Sequence, residues 1–341
     1  MNKYPALGDE ILETLILSDY EVKKLLSLHE VIEAVEVAFK HKALGNVQMP
    51  AKIYLYFRKY DGDLRAMPAY IEDLEISAVK IVNVHPKNPT ENSLPTVMAV
   101  VALIDPSTGI PIAIMGGTTI TDMRTGAAGG IAAKYLARKD SQTLGLVGAG
   151  AQAKTQMMAL LEIFNLKEVR VWSRTEDTKS HFIKEMQQEY GDRVRVIPAG
   201  SISKAVEEAD IVVTTTPSRK PVVTNDMVSA GMHINCIGAD AAGKEELDPN
   251  ILKRAKIVVD DWAQASHSGE ISIPLSDGII TKENIWAEIG EIVAGLKPGR
   301  LRQDEITVFT STGLAVQDAV TAKIAYCKAI SNKVGQFIKI V

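Results

Sequence analysis

Apolar residues recur at helical spacing between Asp19 and Ala43, with Val31, Ile32, Val35, Val37 and Ala38 on one period, and this predicts one or two amphipathic helices. The pattern then changes. Runs at 53–57, 63–70, 76–84, 96–104 and 110–114, separated by turns such as Asp105-Pro106-Ser107-Thr108-Gly109, predict strands, so the first third is sheet-rich. A helix rich in Ala and Gly is predicted at 124–136. From 143 onward, strands at 144–147, 169–172, 194–197, 211–215, 233–237 and 256–260 alternate with helix-like segments, which implies a parallel, doubly wound sheet. Helical periodicity returns at 314–337, too late to belong to that sheet. The expected architecture is therefore α/β: a Rossmann-type domain at 131–311 and a discontinuous α+β domain at 1–130 and 312–341.

The strand at 144–147 runs into Gly148-Ala149-Gly150-Ala151-Gln152-Ala153, where a second helix-like segment opens. That order suits a dinucleotide. Gly148 permits the tight turn, Gly150 lets the backbone approach a pyrophosphate, and Ala153 allows close packing of helix on strand. The helix start offers free N–H groups and a positive dipole end to the phosphates. At the end of the next strand, where an acid commonly holds the adenosine ribose, the chain has Trp172-Ser173-Arg174-Thr175. Arg174, helped by Ser173, either balances a 2′-phosphate, which favours NADP, or stacks on adenine or lies in solvent. The sequence leaves these open, and the expected cofactor is NAD or NADP.

Cations stand at strand positions of the first third: Lys52, Arg65 and Lys80. Lys80 lies in Ala78-Val79-Lys80-Ile81-Val82, and its apolar neighbours place it either in a cavity, where a desolvated ammonium serves acid–base chemistry, or on a solvent face. Arg124 is expected to open a helix, a position that opposes the helix dipole and calls for an anionic partner. Asp240 follows an apolar strand and is placed either at the ligand-binding end of the sheet or in an Asx turn.

Composition narrows the function classes. The chain of 341 residues is 46% hydrophobic and 23% charged, with net charge −4 and no basic run, so nucleic acid and anionic membrane surfaces are not expected partners and small molecules are. Cys236 and Cys327 sit in apolar settings and read as buried thiols of a reduced, cytoplasmic protein. Met1-Asn2-Lys3-Tyr4-Pro5 lacks an apolar signal core, and no apolar run reaches the ~18 residues of a membrane span. His29, His41, His85, His181, His233 and His267 form no ligand-spaced pair, so no metal is expected, and His85 reads as structural.

Taken together, segments 62–68, 80–86, 94–98, 124–136, 148–153, 214–218, 238–240 and 311–318 resemble the ornithine cyclodeaminase/mu-crystallin family, most closely its archaeal-type alanine dehydrogenases, through nearly the whole chain. The resemblance implies a homodimer with a split substrate-binding and dimerisation domain around a Rossmann domain. It implies that Lys80 is the catalytic lysine and Asp240 the acid beside the reacting carbon. Lys52, Arg65 and Arg124 become anion-binding cations, with Arg124 alternatively on the pyrophosphate. Gly148, Gly150, Ala151, Gln152, Thr215, Thr216, Pro217, Ser218, Gly238, Ala239 and Ser311 line the nucleotide, beside Ser173 and Arg174.

Arg65 is the discriminating position, since cyclising members place an acid there. An ornithine ammonium ~4 Å from a lone arginine costs on the order of 4 kcal/mol at an effective dielectric of ~20, about three decades of affinity. The expected reaction is reversible, NAD(P)-dependent oxidative deamination of L-alanine to pyruvate and ammonia. Ornithine cyclodeamination, NADPH-dependent reduction of cyclic or N-alkyl imines, and nucleotide binding without catalysis are the alternatives.

Overall fold

A computed structural model describes residues 13–340. The opening segment Met1-Asn2-Lys3-Tyr4-Pro5, read above for a signal core, lies outside the described residues. Two compact units form. The first takes the described residues up to Ala34, Gly45–Thr121 and those from Ala315 on, and the second takes Val35–Leu44 and Asp122–Leu314.

The first unit is built on one sheet of eight strands: β1 (Glu13–Leu17), β2 (Val47–Gln48), β3 (Ile53–Phe57), β4 (Gly62–Ile71), β5 (Ile76–Val84), β6 (Val97–Ile104), β7 (Pro111–Gly116) and β18 (Gln336–Lys339). Their order is β18-β1-β7-β6-β5-β4-β2, with β3 also paired to β4. All pairs are antiparallel except β1 with β7. Period-two alternation sets the faces. On β5, Ala78, Lys80 and Val82 are buried while Ile81 is exposed, because the Ala315–Asn332 helix packs over one face of β4, β5 and β6.

The second unit carries a parallel sheet of β8 (Thr143–Val147), β9 (Glu168–Trp172), β10 (Arg195–Pro198), β11 (Ile211–Thr214), β13 (His233–Cys236), β15 (Lys256–Val259), β16 (Ile285–Glu288) and β17 (Thr307–Thr310), in the order β10-β9-β8-β11-β13-β17-β15-β16. A two-stranded sheet, β12 (Arg219–Val223) with β14 (Glu245–Leu247), stands apart from it. One face of the large sheet buries Leu144, Leu146, Val169, Val171 and Val213 against Met157, Leu160, Phe182 and Met186. The other buries Val212, Ile234, Ile257, Val259 and Val308 with Val206, Ile251 and Leu252. The expected α/β, doubly wound architecture is present.

Three local expectations change. The helix placed at 124–136 starts at Thr118, just after Gly116 and Gly117, and the Asp19 carboxylate accepts from Thr119 N–H (2.9 Å) and Thr119 Oγ1 (2.8 Å) at its first turn. Arg124 therefore lies in the second turn, where the terminal dipole no longer acts. The helix placed at 314–337 stops at Asn332, because Lys333 and Gly335 take positive φ (55° and 96°), and Phe337 and Ile338 belong to β18 instead. Cys327 is exposed on that helix, whereas Cys236 is buried on β13.

Candidate active site

At the carboxyl end of β8, Gly148 has φ +116°, a conformation that side-chain-bearing residues rarely adopt, and a Cβ there would collide with Thr215 Oγ1. Gly150 behaves differently. It caps the Ala151–Ile163 helix in an extended conformation, and a Cβ on it would meet nothing within 4 Å. The fold itself demands glycine at 148 but not at 150, so the open space beside Gly150 is left for a ligand to explain. Ala153 is fully buried, as close helix-on-strand packing requires.

Further along the carboxyl edge, Thr215 N–H donates to Val147 O (2.9 Å) and Ser311 N–H to Cys236 O (3.0 Å). The side-chain oxygens of Thr215 and Ser311 are buried and meet no hydrogen-bond partner among the described residues. Buried hydroxyls normally find one. The Gly150 space, the two orphaned hydroxyls and the helix start at Ala151 together fit a dinucleotide. Gln152 turns its side-chain amide to Asp122 Oδ1 (2.7 Å). Ser173 and the exposed Arg174 occupy the bend after β9. Pro217 and Ser218 follow in a turn where Ser218 Oγ donates to Lys220 O (2.6 Å).

Two buried carboxylates organise this edge. Asp260 accepts from Thr312 N–H (2.6 Å) and Gly313 N–H (2.7 Å), which shapes the segment after Ser311. Arg124, 7% exposed, lies against Gly313, where φ is +80° and a Cβ would stand 2.5 Å from Nη1. Glu246, fully buried, accepts from Thr216 N–H (2.6 Å) and Gly238 N–H (2.9 Å). Asp240, two residues beyond Gly238 and next to Ala239, accepts from Lys244 Nζ at 2.6 Å, an ion pair between residues four apart in the loop before β14 that the sequence reading did not anticipate.

In the first unit, strand register gathers the cations. Lys80 stands opposite Met67, and Arg65, two residues before Met67 on β4, shares its face. Lys80 is 1% exposed and Arg65 5%. The Lys80 ammonium donates to Asp318 Oδ1 at 2.8 Å, and both side chains are out of solvent. Charges withdrawn from water this far persist only when paired. Arg65 forks onto Asp63, Nε to Oδ1 at 2.9 Å and Nη2 to Oδ2 at 3.2 Å, and stacks over the Tyr54 ring at 5.3 Å. Lys52 immediately precedes β3 and is half-buried.

Asp63 and Asp318 were both missed. Asp63 shares a strand face with Arg65 by simple alternation, so its partnership was legible. Asp318 sits between Val316 and Ala319 in an apolar helical run, and an acid there was the signal. The Asp63 carboxylate also screens Arg65, so the repulsion computed for a lone arginine overstates discrimination against a diamine.

Comparison with known proteins resolves the class. The sequence model of the ornithine cyclodeaminase/mu-crystallin family matches residues 12–333. The chain belongs to that family. Within it, an alanine dehydrogenase of Archaeoglobus fulgidus is 51% identical over 328 residues, covering 96% of this chain and 99% of the relative. An archaeal alanine dehydrogenase dimer solved with bound NAD superposes with TM-score 0.92 at 50% identity, covering 96% of this chain and 100% of that one. The Δ1-pyrroline-2-carboxylate reductase of Thermococcus litoralis, solved with NADH and L-proline, gives TM-score 0.92 at 42% identity, covering 95% and 100%. The expected cofactor class, NAD or NADP, agrees with what these family members hold. Among the described residues no helix is long and apolar enough to cross a membrane, and no group of His, Cys, Asp and Glu is arranged to hold a metal ion.

Proposed function

We propose that this family member catalyses the reversible oxidative deamination of L-alanine to pyruvate and ammonia with NAD or NADP. The observation that carries the reading is its 51% identity to an alanine dehydrogenase along almost the whole chain. The dinucleotide, when bound, supplies the two-electron acceptor for the hydride of the substrate Cα and its donor in reverse. The chain's own side chains do the rest. Arg65 and Lys52 bind the carboxylate common to alanine and pyruvate, and the Asp63 fork holds the Arg65 guanidinium in a fixed plane for a bidentate contact. Lys80 moves protons: it takes one from the substrate ammonium and releases it as the net proton of the reaction, then takes one from the water that attacks the iminium carbon and returns it to the nitrogen that leaves as ammonia. Asp318, hydrogen-bonded to the same nitrogen, receives the proton that Lys80 must shed before it serves as a base. Arg124 and Asp240 keep the roles that the resemblance gives them, an anion partner and a carboxylate for the cationic substrate nitrogen.

A second reading, reduction of a cyclic imine such as Δ1-pyrroline-2-carboxylate, draws support from the 42% identity to the Thermococcus reductase. It uses the same carboxylate clamp and a preformed C=N bond. The deciding test offers pyruvate with ammonium, and separately Δ1-pyrroline-2-carboxylate, to the protein with NADH or NADPH while nicotinamide absorbance is followed, and in a third assay offers L-ornithine with NAD while ornithine and absorbance are both measured. We expect rapid oxidation with pyruvate and ammonium. Oxidation with the cyclic imine alone moves the function to imine reduction, and ornithine consumption without net cofactor reduction moves it to cyclodeamination. Preference for NADPH in the same assay assigns Arg174 to a 2′-phosphate.

The homodimer is proposed on the outer face of the first sheet. Register aligns Ile53, Ala66, Ile81 and Val100 in one row across β3, β4, β5 and β6. Ile53, Ile81 and Val100 are 61%, 43% and 47% exposed, an apolar stripe that monomers seldom leave open. The expected result is that wild type sediments as a dimer and Ile81→Glu as a monomer. A dimeric Ile81→Glu would place the interface elsewhere.

A further inference from the structure

Glu246 is fully buried on β14, outside the main sheet, and the reaction proposed above gives it no task. Its hydrogen bonds are specific. Oε1 accepts from Thr216 N–H at 2.6 Å, and Oε2 accepts from Thr214 Oγ1 at 2.8 Å and from Gly238 N–H at 2.9 Å. Thr214 ends β11 and Gly238 lies just beyond β13, its parallel neighbour, so one carboxylate spans the loops that leave two adjacent strands at the carboxyl edge. Those loops touch backbone to backbone. A Cβ on Gly238 would collide with the Thr216 carbonyl and stand 2.5 Å from Thr216 N. Glu246 is itself held from behind by Glu270, 1% exposed, whose carboxylate accepts from Glu246 N–H (3.0 Å) and Leu247 N–H (2.6 Å). Burial pushes the Glu246 carboxyl up, and the hydrogen bonds it accepts from Thr216, Thr214 and Gly238 act in the opposite direction.

We propose that Glu246 is a positioning residue that fixes the spacing of the Thr215–Ser218 and Gly238–Asp240 loops and thereby sets dinucleotide affinity. This rests on the reading that those loops line a dinucleotide. The chemistry requires an acceptor at both ends of one rigid group. Thr216 and Gly238 each present an N–H, and only a carboxylate offers oxygen to both while its second oxygen also serves Thr214 Oγ1. Glutamine keeps the length and shape but turns one acceptor into an –NH₂ that faces a donor, so one loop loses an anchor; Gly238 N–H retains the Thr214 carbonyl at 3.1 Å, whereas Thr216 N–H has only the Glu246 oxygen among the described residues. The loops then sample more than one spacing, and the cofactor bears the cost of ordering them. Lys80, Arg65 and Asp318 are untouched by this change.

The experiment is titration of wild type, Glu246→Gln and Thr214→Val with NAD and NADP by calorimetry, joined to steady-state kinetics. Glu246→Gln is expected to weaken the preferred dinucleotide by about tenfold to a hundredfold and to raise its KM in parallel. In the same variant, kcat at saturating dinucleotide is expected to fall by less than the dinucleotide affinity does, because Lys80 and Arg65 keep their partners while Asp240 rides on the loosened loop, a split that loss of overall folding does not produce. Thr214→Val removes one donor and keeps the carboxylate, so it is expected to weaken the dinucleotide by only about threefold to tenfold, and it serves as the test if Glu246→Gln does not fold. Undiminished affinity in a folded Glu246→Gln, or in Thr214→Val where that is the variant that folds, overturns the inference while wild-type binding keeps the dinucleotide reading intact. Failure of wild type to bind either dinucleotide overturns that reading and the inference with it.

Discussion

Lys80→Ala is expected to lose turnover by at least about two to four orders of magnitude, because it removes the group that moves protons at the substrate nitrogen. The same substitution removes one member of a buried ion pair at 2.8 Å, and breaking such pairs typically costs about 3–5 kcal/mol. Two separable effects follow. Thermal unfolding should shift down markedly, while dinucleotide affinity at the Gly148–Ala153 turn should change by less than about threefold in protein that is folded. Turnover measured at a temperature well below the lowered midpoint, beside a calorimetric titration with the cofactor, tests both. Substantial activity in folded Lys80→Ala removes Lys80 from the chemistry, and unchanged stability would mean that the Asp318 pair contributes nothing net to the fold.

Gly150→Ala is the second large effect, and it is expected on binding with almost none on folding. The extended backbone at Gly150 suits alanine, and its Cβ meets no protein atom within 4 Å, so the stability change should stay within about 1 kcal/mol, the scale of an altered N-cap. The added methyl nevertheless occupies the space into which a pyrophosphate must approach, and dinucleotide affinity should fall by at least about tenfold. Gly148→Ala provides the contrast, since positive φ and the Thr215 side chain make that position costly to the fold itself. Equal cofactor affinity in wild type and Gly150→Ala would place the phosphates elsewhere.

Much of this architecture was legible before any coordinates, for identifiable reasons. Buried strands such as β8 and β11 announce themselves by apolar runs between glycine turns and helices, and β5 by alternation. What alternation on β5 leaves undecided is which face is covered. Lys80 was therefore equally a solvent lysine and a buried one until the Ala315–Asn332 helix was seen to pack on it. That helix comes from a distant part of the chain, and no local period reports its docking. The same limit hid the insertion of β17 between β13 and β15, a pairing between segments far apart in sequence. Strand β18 was absorbed into a predicted helix because Phe337 and Ile338 continue its apolar spacing, while the turn at Lys333 and Gly335 rests on φ values that composition only hints at.

The candidate site shows the same division. Glycines in a strand-to-helix turn carry their signal locally, so Gly148 and Gly150 stood out, whereas Arg65 alone reads as a surface charge and was picked out by the family resemblance. Their partners did not stand out. Glu246 and Glu270 look like ordinary surface acids in sequence, and only the pairing of β14 with β12 brings Glu246 beneath the loops it holds. Arg124 was given a helix-start argument that fails because the helix begins at Thr118, yet its burial beside Gly313 still marks it as a constrained cation.

Strand β18 has a further consequence, for synthesis. It completes the first sheet by pairing with β1, Glu13 against Lys339, while the whole second unit is encoded between them. A growing chain therefore makes β1 long before the partner strand and the Ala315–Asn332 helix emerge. Until then the face that will bury Lys80, Met67 and Val101 lacks the cover of that helix, whereas the parallel sheet has every strand it needs once Thr310 is made. The half that holds the glycine turn has all the strands of its large sheet by Thr310, whereas the half that holds the lysine needs residues up to Lys339 to complete its own.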